Sequence, residues 1–564
     1  MPDARSVRLK EAKDWRHVGQ SVQRLDLPGK VVGAGVFGID VQLDGMGFAA
    51  VAACPYFGGS PRVVATKALA EQPGVRQVLV LDEPALLAAG SQRAVAVIAR
   101  NWWDAKRALD SIPIEWDVPF RLEDETISAQ LLAGLEGAPY RVLRRDGDPA
   151  EALQQAAGTF EADYVFPYLE HGALEPMNAT AVVRDDGFEV WAPTQAPEEA
   201  LRVAAAIAGM PVETGRLHPT QMGGGFGRRL HSDAIAQAVA VAKTMRGTPV
   251  KLVWSREETM RHGIYRQSAM VRMRAGFDAN GRLAAWTHRI SGQTKDDSHA
   301  MVNSTYGADS ILFSIPNILV DWAAEPLGVP VGLMRGVGNS IDVFAIQSFL
   351  DELAHQAGSD AYRFQRALLD PATTPHEVPL LEFDQPLPSA ERAGRLRAVL
   401  DEAAKRSNWD TPMPRGRGRG IAAHEYQGGF YAVVVEVTLD GHGSLKVDRV
   451  LVVADVGMLG NPHNAEAQVE GGVAFGLSSA LYGRISFEDG MVQQGNFDTY
   501  ELLRADAMPD VQIHWITDRQ FWGDVSQGAV SVVPPALTNA IYDAGGPRIR
   551  KLPVCDHALL PRET

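Results

Sequence analysis

Three consecutive glycines flanked by two arginines constrain this chain more than any other feature. The segment reads Gln221-Met222-Gly223-Gly224-Gly225-Phe226-Gly227-Arg228-Arg229, and a helical pattern begins at Ser232. A backbone run without side chains bends tightly and lets a planar or anionic ligand touch main-chain atoms, while the adjacent helix N-terminus favours negative charge. The two arginines are expected to add to that pull. The segment lacks the Lys-Ser/Thr ending of a Walker loop and the spacing of a dinucleotide fingerprint. A ligand loop of another kind and a tight structural turn are the two readings left open.

At 564 residues the chain predicts about three or four domains, since a domain averages roughly 150 residues. Hydrophobic residues make up 46% and charged residues 22%, which excludes wholesale disorder or coiled coil. A net charge of −15 repels nucleic acid, so no nucleic-acid partner is expected. The Arg415-Gly416-Arg417-Gly418-Arg419 run reads as a solvated turn. Cys54 and Cys555 are the only cysteines and stand near opposite ends, so no iron-sulfur cluster or zinc site is expected within this chain. Any redox centre has to be borrowed. Met1 to Lys10 shows no apolar signal region and no stretch is long and apolar enough to span a bilayer. The expectation is a protein without a transmembrane segment, placed in the cytoplasm, with export beside a signal-bearing partner left open.

The fold class expected is α+β and multidomain. An extension over 1–32 precedes a small α/β domain over 33–118, whose final helix is punctuated by Asn101 as its cap. A first mixed lobe spans 119–369. A proline- and charge-rich connector over 370–419 encloses a helix at Ser389 to Arg406. A second mixed lobe, 420–564, opens with a hairpin joining Tyr431–Leu439 to Leu445–Val453 through Asp440-Gly441-His442-Gly443, and nears its end with a helix from Pro535 to Asp543.

Two further glycine segments stand out. Met334-Arg335-Gly336-Val337-Gly338-Asn339-Ser340 precedes a helix, and Arg335 there has the reach to bind a phosphate or carbonyl or else to serve structurally. Gln468-Val469-Glu470-Gly471-Gly472 leads into an apolar helical run from Val473. His171, Glu175, Met177 and Asn178 form a polar group in an irregular segment, either a pocket wall or a satisfied core network. His424-Glu425 starts a zinc-protease pattern that fails at Gly428, and no G-x-S-x-G elbow occurs.

Taken in order, Gly33–Asp40, Trp191–Pro197, Gln221–Arg229, Val329–Ala354, Gly418–Glu425, Ala465–Tyr482 and Pro534–Pro553 resemble the molybdenum-binding large subunit of the xanthine dehydrogenase and aldehyde oxidase family. The likeness is greatest to its isoquinoline 1-oxidoreductase branch. The resemblance implies that 33–118 is a hammerhead domain and that the two lobes hold a molybdopterin-type molybdenum cofactor between them. It carries over Gly224, Gly225, Phe226 and Gly227 as a loop beside metal and substrate, Arg335 and Gly336 as contacts near the metal site, and Gln468 as a pterin-side contact. It also implies hydroxylation of an N-heteroaromatic or aldehyde substrate with oxygen from water, electrons leaving through an iron-sulfur subunit.

Two departures from the family pattern carry expectations of their own. Such subunits hold a further segment with a Met-Gly-Gln-Gly type loop against the metal, and this chain starts about where the hammerhead does, so that segment is expected either to come from a partner chain or to have been removed or lost. The family's Gly-x-Gly-Glu-Pro-Gly glutamate, the general base, corresponds to Gln527 in Asp524-Val525-Ser526-Gln527-Gly528-Ala529. An amide does not take a proton at neutral pH, and losing a base costs about 10²- to 10⁴-fold. Two alternatives follow: a metal-free enzyme of this fold doing isomerase- or hydratase-type chemistry with His171 and Glu175 as acid and base, or a non-catalytic scaffold subunit.

Overall fold

The computed structural model describes residues 6–8, 10–111, 114–293, 305–370, 372, 387–517 and 521–560. Residues 371 and 373–386 of the expected connector, and Ile112 at the start of the strand expected before Trp116, lie outside them.

A seven-stranded sheet runs in the spatial order Gly215–Pro219, Phe188–Ala192, Asn178–Val183, Val250–Val253, Gly47–Ala53, Ala94–Ala99, Val75–Leu81. All six residues of Ala94–Ala99 are buried, as an uninterrupted run of small apolar side chains allows when both sheet faces are covered. Gly47–Ala53 pairs in parallel with Val250–Val253, Gly47 opposite Val250. The strands of the 33–118 unit therefore share one sheet and one core with the first lobe. Alternation in the sequence marks each strand but not the partner that covers its edge. Asn101 caps the helix Trp102–Ser111 as the sequence predicts, its Oδ1 accepting Asp104 N–H at 2.8 Å.

A five-stranded sheet (Arg141–Asp146, Asn317–Glu325, Leu283–Gln293, Ala269–Phe277, Gly158–Phe166) and a four-stranded sheet (Arg417–Tyr426, Gly429–Leu439, Leu445–Asp455, Asp510–Trp515) share a second core. The helix Asn339–Gln356 lies buried along almost its whole length between them. The hairpin forms as expected, and the Asp440 carboxylate closes its turn by accepting the N–H groups of His442 (2.9 Å) and Ser444 (2.8 Å).

Three local expectations change. Phe37–Val41, an apolar run, is a 3₁₀ turn over Gly38–Asp40 because the Asp40 carboxylate accepts Phe37 N–H at 3.0 Å. Arg121–Gly158, which reads as helical and polar with Leu131, Leu132 and Leu135 on one side, contains the edge strand Arg141–Asp146, whose charged, half-exposed residues give no apolar alternation. The helix Ser389–Arg406, placed in the connector, seats Leu396, Val399, Leu400 and Ala403 in the second core and belongs with the second lobe.

The N-terminal stretch ties the lobes together. Gly19 N–H donates to Gly460 O (3.1 Å) and Asn461 Nδ2 to Val22 O (2.7 Å) on the second lobe, while Val36 O accepts Gln221 N–H (3.1 Å) on the first.

Candidate functional site

The glycine loop leaves the sheet edge at Pro219 and enters the helix Asp233–Thr244 through a 3₁₀ turn at Arg228–Leu230. Gly224, Phe226 and Gly227 have positive φ, and at Gly227 a Cβ would stand 2.1 Å from Leu333 O. Glycine is needed there because the first loop presses on the segment that carries Arg335. Gln195 supports the same turn, its Oε1 accepting Gly227 N–H at 3.1 Å.

The two arginines do not reach out to a ligand. Arg228 makes a buried bidentate pair with Asp233 at 2.9 and 2.7 Å. Arg229 donates to Gly224 O and Glu175 O, both at 2.8 Å, and to Glu175 Oε2 at 3.2 Å. Burial pushes the Arg229 guanidinium down to about 10, with Glu175 opposing the shift. The expected electrostatic pull of Arg228 and Arg229 is spent inside the loop's own fold.

Glu175 is the clasp of this region. Its Oε1 accepts Ile39 N–H (3.1 Å) and Asn178 Nδ2 (2.9 Å), and its Oε2 accepts Gly223 N–H (2.8 Å) besides Arg229. His171 is buried; its ring Nε2 lies 2.9 Å from Leu333 O, and its Nδ1 is 3.8 Å from Glu170 Oε2. Glu175 thus fastens the glycine loop to Ile39 of the N-terminal stretch, while His171 holds its own segment to Leu333.

The second loop brings the remaining residues together. Arg335 N–H donates to Phe226 O at 2.9 Å, joining loop to loop. Its Nε donates to Ser526 O at 2.8 Å, and its Nη2 to Gln468 O at 2.9 Å and Gln468 Oε1 at 3.4 Å. Gly336 N–H donates to Gln527 Oε1 at 2.9 Å. Behind them Asp524 shapes the turn: Oδ1 accepts Ser526 Oγ (2.6 Å), and Oδ2 accepts the N–H groups of Ser526 (3.0 Å) and Gln527 (2.8 Å). Burial lowers the Arg335 guanidinium from its ordinary value, with Asp524 the main opposing charge.

Gln468 is not on a loop. The helix that contains it begins at Pro462, where Asn461 Oδ1 caps Asn464 N–H at 3.4 Å. The glycines after it serve helix packing: a Cβ at Gly472 would touch Ala529 Cβ at 3.3 Å, and one at Gly476 would lie 2.9 Å from Val530 O. That carbonyl loses its usual helical donor because Pro534 stands four residues on, inside a helix that runs from Gly528 to Asp543 rather than from Pro535. Gln527 is the residue that opens this helix.

Phe226, Arg335, Gly336, Gln468 and Gln527 therefore meet where the two lobes join. Phe226 also packs on Phe475 with ring centroids 5.1 Å apart. The polar set is one guanidinium, two amides and backbone groups. Such a set suits an anionic heterocycle, with amide groups matching ring edges and the guanidinium an acidic tail. Among the described residues no group of three or more His, Cys, Asp or Glu side chains could hold a metal ion. A cavity of about 800 Å³, lined by Tyr56, Phe57, Leu87, Leu230, His231 and Leu333 among others, reaches the loop pair at Leu230 and Leu333. Gln195, Ser526 and Asp524 were not singled out from the sequence; only their places beside the glycine loops and Gln527 hint at a role.

Two domain models, both described as molybdopterin cofactor-binding domain, match residues 136–368 and 389–509. The chain is 27% identical to the beta chain of isoquinoline 1-oxidoreductase from Brevundimonas diminuta, over 98% of this chain and 70% of that protein. It is 26% identical to the membrane-bound, pyrroloquinoline-quinone aldehyde dehydrogenase of Gluconacetobacter polyoxogenes, over 97% of this chain and 73% of the other. Among solved structures, quinoline 2-oxidoreductase from Pseudomonas putida 86 superposes with a TM-score of 0.80 at 15% identity, covering 96% of this chain and 97% of that one. Aldehyde oxidoreductase from Desulfovibrio gigas does so with a TM-score of 0.76 at 17% identity, covering 98% and 82%.

Proposed function

Because the chain belongs to the family of molybdopterin-binding large subunits that includes xanthine dehydrogenases and aldehyde oxidoreductases, we propose that it is the cofactor- and substrate-binding part of a molybdenum hydroxylase. Its substrate would be an N-heteroaromatic compound or an aldehyde, and the oxygen added would come from water. The observation that carries this reading is the hydrogen-bonded meeting of Arg335, Gly336, Gln468 and Gln527 across the two cofactor-binding domains.

Arg335 and Gln468 would hold the pterin and its acidic tail, and Phe226 with its neighbouring glycines would border the metal. When bound, the cofactor supplies the two-electron oxidising centre. The protein's own part is to orient and to exclude water. Arg335 is fixed by Ser526 O and Gln468 O before any ligand arrives, so little side-chain freedom is lost on binding. Gln527 accepts Gly336 N–H and keeps an amide NH₂ able to donate to a substrate oxygen or ring nitrogen. It does not take up a proton, so hydroxylation by this chain's own residues is slow unless a carboxylate comes from elsewhere. Substrate would approach through the 800 Å³ cavity, whose lining sets Tyr56, Phe57 and aliphatic side chains beside Gln92, Arg93, Glu199 and His231 and so suits a planar ring that carries polar atoms.

The metal-free reading with His171 and Glu175 as acid and base is disfavoured by their bonds: all four contacts of the Glu175 carboxylate are structural, and His171 faces Leu333 O. The scaffold reading draws on Gln527 and on the exposed apolar residues of the N-terminal stretch.

Electrons would pass to an iron-sulfur subunit, since Cys54 is buried and Cys555 exposed far from it in sequence. Leu25, Val31, Val32 and Val36 are exposed on the N-terminal stretch, as are Leu174 and Met222 by the glycine loop. That apolar strip suits a further polypeptide segment that adds to the cofactor cradle. Among the described residues no helix is long and apolar enough to cross a membrane. Turnover of quinoline- or benzaldehyde-type substrates by the natively purified complex in ¹⁸O-water tests the reading. Label in the product is expected; product oxygen drawn from dioxygen contradicts it.

A further inference from the structure

Behind Arg335 lies a separate narrow recess of about 20 Å³, bordered by Arg266, Arg335, Ser340, Ser479, Leu169 and Val530 among others. That is room for one water or one monatomic ion. Arg266 is 3% exposed, its guanidinium lies 6.0 Å from the centre of the Phe166 ring, and among the described residues no carboxylate belongs to the groups whose charge shifts it. Its Nη2 donates to Pro167 O, but its Nε is buried without any hydrogen-bond partner. Arg335, on the other side, spends its bonds on carbonyl oxygens, and the Asp524 carboxylate nearest to it is taken up by Ser526 and Gln527. The 18-residue helix Asn339–Gln356 starts nearby without a side-chain cap.

We propose that this space is a halide site, occupied by chloride, in which one anion neutralises Arg266 and Arg335 together. A buried guanidinium without a counter-charge is costly, and a water molecule does not cancel it. A monatomic anion fits the volume, accepts from the orphaned Nε, and tolerates the apolar wall of Leu169 and Val530 on its other side. Burial already pushes the Arg266 guanidinium down to about 10, as expected where no carboxylate answers it. The walls come from both lobes, Arg266 and Arg335 from the first, Ser479 and Val530 from the second. The ion would therefore act as a counter-charge between them and steady the guanidinium of Arg335. The proposal shares Arg335 with the cofactor reading but does not depend on it, because its test is read at Arg266.

The test uses the full chain at fixed ionic strength, in sodium chloride and in sodium gluconate. A Tm higher in chloride by about 2 °C or more, saturating with concentration, is expected. In Arg266→Met that difference should vanish. Crystals grown in bromide should show an anomalous peak between Arg266 and Arg335, and this decides the matter alone if the variant does not fold. Equal Tm values in the two salts, a chloride effect unchanged in Arg266→Met, or no bromide at that place overturns the proposal.

Discussion

The side-chain carbonyl of Gln527 accepts the backbone N–H of Gly336 at 2.9 Å, joining residues 191 positions apart at the junction of the lobes. An amide and a carboxylate both accept that bond, so the fold does not distinguish them and the chemistry does. Gln527→Glu should keep the structure, place a base beside Arg335 and raise substrate oxidation by about 10²- to 10⁴-fold in the cofactor-loaded complex. Single-turnover reduction of the complex reads this out. An unchanged rate at equal metal content would remove position 527 from the chemistry.

Arg335→Met removes the donors that hold Ser526 O and Gln468 O. Losing the part-buried bond to Ser526 O costs about 0.5–1.5 kcal/mol of stability, and the exposed bond to Gln468 O less. The larger effect should be on loading, because the only guanidinium in the polar set is lost. Molybdenum per folded chain is expected to fall at least about tenfold, with Arg335→Lys intermediate because it keeps charge but not the fork. Wild-type occupancy in Arg335→Met would show that the cofactor is held elsewhere.

Two glycines at the site should answer oppositely to alanine. At Gly227 the Cβ would meet Leu333 O at 2.1 Å from a residue with φ of 102°, and Gly227→Ala should destabilise by about 3 kcal/mol. At Gly471, inside the helix Pro462–Leu481, the nearest atom is Arg335 Nη1 at 3.5 Å. Gly471→Ala should stabilise the cofactor-free chain by about 0.5–1 kcal/mol through helix propensity. Chemical denaturation of both variants checks the contrast, and equal effects would mean that the two loops do not touch as described.

Much of this was legible in the sequence. The first two glycine loops could be placed because backbone turns leave local marks, Gln527 only through the family resemblance, and Asn101 and Asp440 cap or close their elements as their types predict. What was not legible depends on distant partners. Nothing near Arg228 and Arg229 shows that Asp233 and Glu175 will absorb their charge. Nothing within Gln468–Gly472 shows that the helix starts back at Pro462, since its glycines argue for a turn until Ala529 and Val530 are packed against them. Likewise the strand Gly47–Ala53 announces itself by composition, but its pairing with Val250–Val253 is a tertiary fact.

His424 gives a pH signature. Its ring lies within the second core with Nε2 2.8 Å from Asn339 Oδ1, and burial, aided by Arg392, pushes its pKa down to about 3. The folded state keeps the ring neutral while the unfolded chain protonates it near pH 6.5, so the unfolded state binds the extra proton between those values. Stability is therefore lost as pH falls below about 6.5, by about 1.4 kcal/mol per pH unit from this residue. His424→Gln keeps a partner for Asn339 and should flatten the fall in stability between pH 7 and 5. A slope identical to wild type would show that the ring is protonated in the fold.

The central claim is that the two lobes hold a molybdopterin cofactor between them. Its most direct test is molybdenum per chain, measured by elemental mass spectrometry on the complex purified natively with whatever co-elutes. Close to one atom per chain is the result predicted. A well-folded complex without molybdenum, from cells that load other molybdenum enzymes, would contradict it.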